Sequence, residues 1–206
     1  MSAIARLCQR SLLIHEGKIL KEGPSQEVIQ FYLRQTVGLK ASREWENVSQ
    51  APCDDFVRLR AVRVRRADGS VSETIGIDQD FFVEAEYEVL KSNLELVPNF
   101  HFFNEEGLCL FVAHDTDPEW RHKFRPQGKF MTSVKIPGNL LAEGTLVISV
   151  GISRYRPFHV HVHVPEVLAV NILDTFPETS ARGDFTGRMP GVVRPTLDWR
   201  TQFLGK

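Results

Sequence analysis

The chain has 206 residues, enough for one large domain or for a medium domain with an appendage. Hydrophobic residues make up 42% and charged residues 25%, a balance that supports a packed core and excludes wholesale disorder. Lys and Arg total 25 against 26 Asp and Glu, a net charge of -1, which lacks the positive excess of a strong nonspecific nucleic-acid binder. No uninterrupted apolar stretch approaches the ~18 residues of a membrane-spanning helix. The first residues lack the basic-then-apolar pattern of a signal peptide. Cys8, Cys53 and Cys109 are scattered, odd in number and without metal spacing, so they read as reduced thiols.

Two unlike regions meet near residue 40. Residues 2–14 read as a short helix running into an apolar strand, Glu16-Gly17-Lys18 as a turn, and Ile19-Leu20 as a second strand. Gly23-Pro24-Ser25 opens a helix, with Ser25 as N-cap and Val28, Ile29, Tyr32 and Leu33 on one face. A piece of about 35 residues cannot bury a core alone. Residues 37–55 are polar, contain Pro52, and read as a linker around Trp45.

From Phe56 the period changes to two. Val57 and Leu59 alternate with Arg58 and Arg60, and a slip near Ala61-Val62 predicts a β-bulge. Asp68-Gly69 is a turn signal. Val83, Ala85, Tyr87 and Val89 alternate with Glu84, Glu86 and Glu88, a strand with one wet face. Further strands are predicted at 98–104, 108–113, 129–136, 144–152, 159–164 and 167–173. Residues 180–195 read as a long loop, and residues 192–203 as a last strand carrying Trp199, able to pair at home or with a second copy. This spacing predicts an all-β fold, an antiparallel immunoglobulin-like or jelly-roll β-sandwich, with a short α/β segment at its N-terminus.

The run from Ile14 through Gly17, Gly23-Pro24-Ser25 and Glu27-Val28-Ile29 resembles the closing segment of an ABC-transporter ATPase domain. A phosphate-cradling Gly-x-x-x-x-Gly-Lys-Ser/Thr motif is not in the sequence, so no ATP chemistry is expected of this chain. The strand and turn from Val57 to Asp68-Gly69, Phe102-Phe103-Asn104-Glu105-Glu106-Gly107, Val134-Lys135-Ile136-Pro137 with Leu140 to Leu146, and Gly191-Val192-Val193-Arg194-Pro195-Thr196-Leu197-Asp198-Trp199 are similar to the C-terminal domain of Wzt-type ATP-binding subunits, which serve O-antigen polysaccharide export. The resemblance implies three parts: an ATPase remnant over 1–36, the linker over 37–55, and a carbohydrate-binding sandwich over 56–206. It also implies a cytoplasmic module at the inner face of the bacterial inner membrane. Its implied partners are a lipid-linked glycan, a second copy with exchanged C-terminal strands, and the transporter's membrane subunit. No cofactor, nucleic acid or catalysis is implied.

Residue chemistry supplies the candidate glycan contacts. Sugars offer hydroxyls to carboxylates, amides and imidazoles, and C–H faces to aromatic rings. Asn99, His101 and Phe103 alternate along one strand opposite Phe100 and Phe102, a platform if the latter pair is core. Asp115, Trp120 and Arg121 share a loop, and Arg154 and Tyr155 close a strand end where loops cluster. His159, His161 and His163 share one face at period two, above Val160, Val162 and Val164. Alternate imidazoles suit sugar hydroxyls, or alternatively a metal-dependent hydrolase. A purely structural dimerisation or docking role is the remaining alternative. The arginines at 58, 60, 63, 65 and 66 read as protection of a sheet face, with anionic lipid or sugar as the other option.

Overall fold

The computed structural model describes residues 8–25, 27, 28, 31, 32, 38, 40–187 and 189–205. Strands β1 (Arg10–His15) and β2 (Lys18–Pro24) form an antiparallel hairpin over the Glu16-Gly17 turn, where both residues have positive φ. Its apolar residues Leu12, Ile14, Ile19 and Leu20 are exposed. Ser25, Glu27, Val28, Phe31 and Tyr32 are helical, as the N-cap pattern predicts, while Ile29 and Leu33 lie outside the described residues.

The remaining strands are β3 (Ser42–Glu44), β4 (Val57–Arg66), β5 (Thr74–Gly76), β6 (Phe81–Val89), β7 (Val97–Asn104), β8 (Cys109–His114), β9 (Gly128–Ile136), β10 (Gly144–Tyr155) and β11 (Phe158–Leu173). They form two sheets, one ordered β5-β11-β10-β7-β8 and the other β3-β4-β6-β9. Neighbours are antiparallel except β5, which runs parallel to β11. The all-β sandwich that alternation predicts is therefore present, with one parallel edge added.

Alternation explains the layering. Val57, Leu59, Val62 and Val64 of β4 and Val83, Ala85, Tyr87 and Val89 of β6 face inward, at 2% exposure or less. They meet Phe100 and Phe102 of β7, Leu146, Ile148, Val150 and Ile152 of β10, and Leu168, Val170 and Ile172 of β11 in one cluster. Each such aliphatic or phenyl group contributes about 1.5–3 kcal/mol by leaving water. The predicted slip is real. The register of β4 against β6 shifts between Leu59 and Ala61, so Ala61 and Val62 are both buried.

Two expectations change. The stretch read as linker packs onto the sandwich from residue 40. Lys40 bridges Ala169, β3 pairs with β4, and Trp45 and Ala51 join the core. The stretch is too short and polar to show a period, but its apolar residues find a sheet edge to cover. The strand predicted over 192–203 does not form. Leu141 bridges Val193, but residues 195–205 pair with neither sheet, and Leu197, Trp199, Phe203 and Leu204 are exposed. The loop ahead of that segment is pinned by ions. Arg182 donates to Asp174 (2.8 Å) and Glu143 (3.1 Å), and Arg194 pairs with Glu143 (3.2 Å). Burial alone would raise the Asp174 carboxyl, but the Arg182 and backbone hydrogen bonds hold it below its usual range.

Candidate functional site

The two outer faces of the sandwich differ in chemistry. On the four-stranded sheet, arginines of β4 stand opposite glutamates of β6. Arg58 pairs with Glu88 (3.3 Å), Arg63 with Glu86 (3.5 Å) and Glu44 (2.9 Å), and Arg65 with Glu84 (2.7 Å). Cross-strand ion pairs of this kind add ~0.2–1 kcal/mol each, and their larger effect is to neutralise the face. Arg58, Arg63 and Arg65 of the run are thus engaged by neighbouring glutamates, and Arg66 donates to the Thr74 carbonyl (2.8 Å).

The outer face of the five-stranded sheet is built otherwise. Ser149, Gly151 and Ser153 of β10 form a floor of small residues, opposite His101, Asn99 and Val97 of β7. Because Phe100 and Phe102 are core, Asn99, His101 and Phe103 point outward, which is the register the platform requires. Their side chains interlock. Asn99 donates from Nδ2 to the Val97 carbonyl (3.1 Å) and accepts at Oδ1 from His101 Nε2 (3.0 Å). The His101 ring stacks on Phe103, with centroids 6.4 Å apart, and meets His163 edge-on at 6.0 Å. His163 rises from β11 opposite Gly151. Asn99 lies so close over Gly151 that a Cβ there would stand 2.5 Å from its Oδ1.

The result is a trough with imidazole, amide and phenyl walls. At one end it deepens into a cavity of about 210 Å³ between Phe103, Ser149, His163 and Glu166. Ser149 Oγ accepts there from the Glu166 N–H (2.9 Å). On the β8 side, His114 shares a 2.6 Å hydrogen bond with the exposed Tyr155 hydroxyl. Burial, and then repulsion from His163 and His114, lowers the His101 imidazole below its ordinary 6.5.

Other predicted residues lie elsewhere. Asp115 accepts from Arg125 (2.9 Å), a 2% exposed arginine that also donates to the Leu96 carbonyl. Trp120 packs edge-on against Phe130 at 5.1 Å, with the Arg125 guanidinium 5.7 Å from its ring. Both residues thus seat a buried cation, and Arg121 beside them is exposed. Arg154 is half-buried next to Tyr155.

The histidine triplet does not share one face. The register of β10 against β11 shifts between Ile152 and Ser153, so Ser153 pairs with Val160, Ile152 with Val162, and His161 is the extra residue. His159 and His161 turn to the Asp54 side, His163 stays in the trough, and Val160 is exposed. Ser149, Gly151, His163 as a trough residue, and Glu166 were not singled out from sequence. The signal available was small residues at period two in an otherwise apolar strand.

A two-layer sandwich with one ion-paired face and one polar, aromatic trough is the class that fold and site define. In a search of solved structures, the chain is similar to the crystal structure of the C-terminal domain of Wzt, with a TM-score of 0.60 and 13% identity, over 83% of this chain and 95% of that one. At that identity the likeness is one of fold. No family model matches the chain, and no curated protein does.

Proposed function

We propose that this chain is a non-catalytic carbohydrate-binding module of an ABC transporter, one that recognises a lipid-linked, O-antigen-type polysaccharide at the cytoplasmic face before export. The observation that carries this reading is the trough. His101 and His163 offer ring nitrogens for hydroxyls and Phe103 a ring for C–H faces, while Asn99 and Ser149, nearly buried and bonded within the chain, hold that surface from beneath. The shared fold with the C-terminal domain of Wzt and the ATPase-like order of residues 14–29 support it. The exposed apolar side of the β1–β2 hairpin suits a segment that closes a larger ATPase domain over 1–36, and that domain would link the module to the membrane subunit.

Single glycan contacts are weak, so repeat units and a two-copy arrangement would raise avidity. Calorimetry with lipid-free polysaccharide tests the reading. Binding at millimolar sugar or tighter, weakened in Phe103→Ala and His101→Ala, supports it; silence at millimolar sugar contradicts it.

A second reading, structural dimerisation or docking, is favoured by the C-terminal segment, where Trp199, Phe203 and Leu204 are 88%, 84% and 88% exposed. It stands alone if the protein dimerises yet ignores every glycan. The three-histidine form of the hydrolase reading is not assembled, because the bulge takes His163 away from His159 and His161.

A further inference from the structure

The turn before β4 brings Asp54 against the first part of β11, 107 positions away in sequence from His161. Asp54 Oδ1 accepts from two backbone N–H groups, those of Phe56 and Val57, each at 2.8 Å. That fixes the carboxylate and leaves Oδ2 facing two imidazoles. His161 Nδ1 is 2.7 Å from it and His159 Nε2 is 3.7 Å from it. The two rings lie 4.6 Å apart, and one ligand atom from each of the three residues falls within 4.8 Å of the others. His161 is 1% exposed, while His159 is 49% exposed and opens the cluster to solvent.

We propose that Asp54, His159 and His161 form a binding site for one divalent transition-metal ion of the zinc type, which ties the turn before β4 to β11. Tetrahedral zinc holds nitrogen and carboxylate ligands at about 2.0–2.2 Å, so its ligand atoms sit about 3.3–3.6 Å from one another. The Asp54 separations of 2.7 and 3.7 Å bracket that value and all three ligand atoms lie within 4.8 Å of one another, so side-chain adjustment can seat an ion in place of the proton between His161 and Asp54. Two imidazoles and a carboxylate without thiolate suit zinc, cobalt or nickel better than calcium or magnesium. Cys53, next in sequence, lies outside the cluster. The backbone N–H groups on Oδ1 are the outer partners that aim such a carboxylate.

Coordination through Nδ1 puts the ring proton on Nε2, which has no acceptor among the described residues. Affinity is therefore lower than in closed four-ligand sites, and water completes the shell on the His159 side. The site does not depend on the glycan reading, since His163 and the trough take no part in it.

The test uses the full chain, stripped with chelator and titrated with Zn²⁺ by calorimetry and with Co²⁺ by visible absorption. The expected result is one ion per chain and a higher unfolding midpoint with Zn²⁺. His159→Ala and Asp54→Asn should each lower affinity at least about tenfold. Cys53→Ser and His15→Ala should bind as the parent does, which excludes thiol capture and surface histidine binding. Circular dichroism shows whether each variant is folded, and half-exposed His159 is the substitution least able to disturb the core. Absence of a stoichiometric ion in the parent, or parent-like affinity in folded His159→Ala, overturns the proposal.

Discussion

At Gly151 the outer face of β10 has no room for a side chain, because the Asn99 amide occupies it. Gly151→Ala places a methyl 2.5 Å from Asn99 Oδ1, so the amide must move and its hydrogen bond with His101 goes with it. A loss of about 1–3 kcal/mol in denaturant unfolding is expected, together with weaker glycan binding. His101 gives a second residue-scale outcome. Its lowered pKa means that well above pH 6.5 the ring is neutral in both folded and unfolded chains. As pH falls through 6.5 the unfolded chain takes up the proton first, so stability falls until the folded ring protonates too. The unfolding midpoint should drop as pH falls through 6.5 and level off once the folded ring protonates, and His101→Gln should shrink the drop. An unchanged drop in that variant would mean that other groups set the acid sensitivity.

Among the elements, the long strands were legible because each has one dry and one wet side. Val83 to Val89 shows this in the letters alone, and Phe102, at 0% exposure, sits where the period puts it. Phe102→Ala should cost about 3–5 kcal/mol in unfolding free energy. Strands β3 and β5 were not legible. Three residues carry no period, and each pairs only because a longer neighbour offers an open edge. The candidate site was half legible. The register of Asn99, His101 and Phe103 follows from two core phenylalanines. The histidine triplet misled because a single extra residue in β11 turns His161 inward, and alternation cannot show where a bulge falls. Asp115 and Trp120 both hold Arg125, a role not legible in the letters: it is close in sequence, but only the fold reveals that it is buried. Residues 192–203 have strand-like letters and no local edge to join. If residues 195–205 carry the contact of the docking reading, a chain ending at Arg194 should keep its fold, sediment as a monomer at concentrations where the full chain self-associates, and unfold at a lower midpoint there. A truncated chain that remains dimeric would place the interface elsewhere.

At the scale of the whole molecule, the two outer sheet faces are asymmetric. One is closed by Arg–Glu pairs between β4 and β6, and the other presents imidazoles and a phenyl ring held in place by the buried Asn99 amide, the surface proposed above to meet the glycan. The near-neutral net charge of -1 agrees with an uncharged polymer as partner. Calorimetric titration of the full chain with lipid-free O-antigen-type polysaccharide, alongside Phe103→Ala, tests this most directly. The account predicts saturable binding at millimolar sugar or tighter, lost or much weakened in the variant. No heat from the parent, or equal binding by a folded Phe103→Ala, would contradict it.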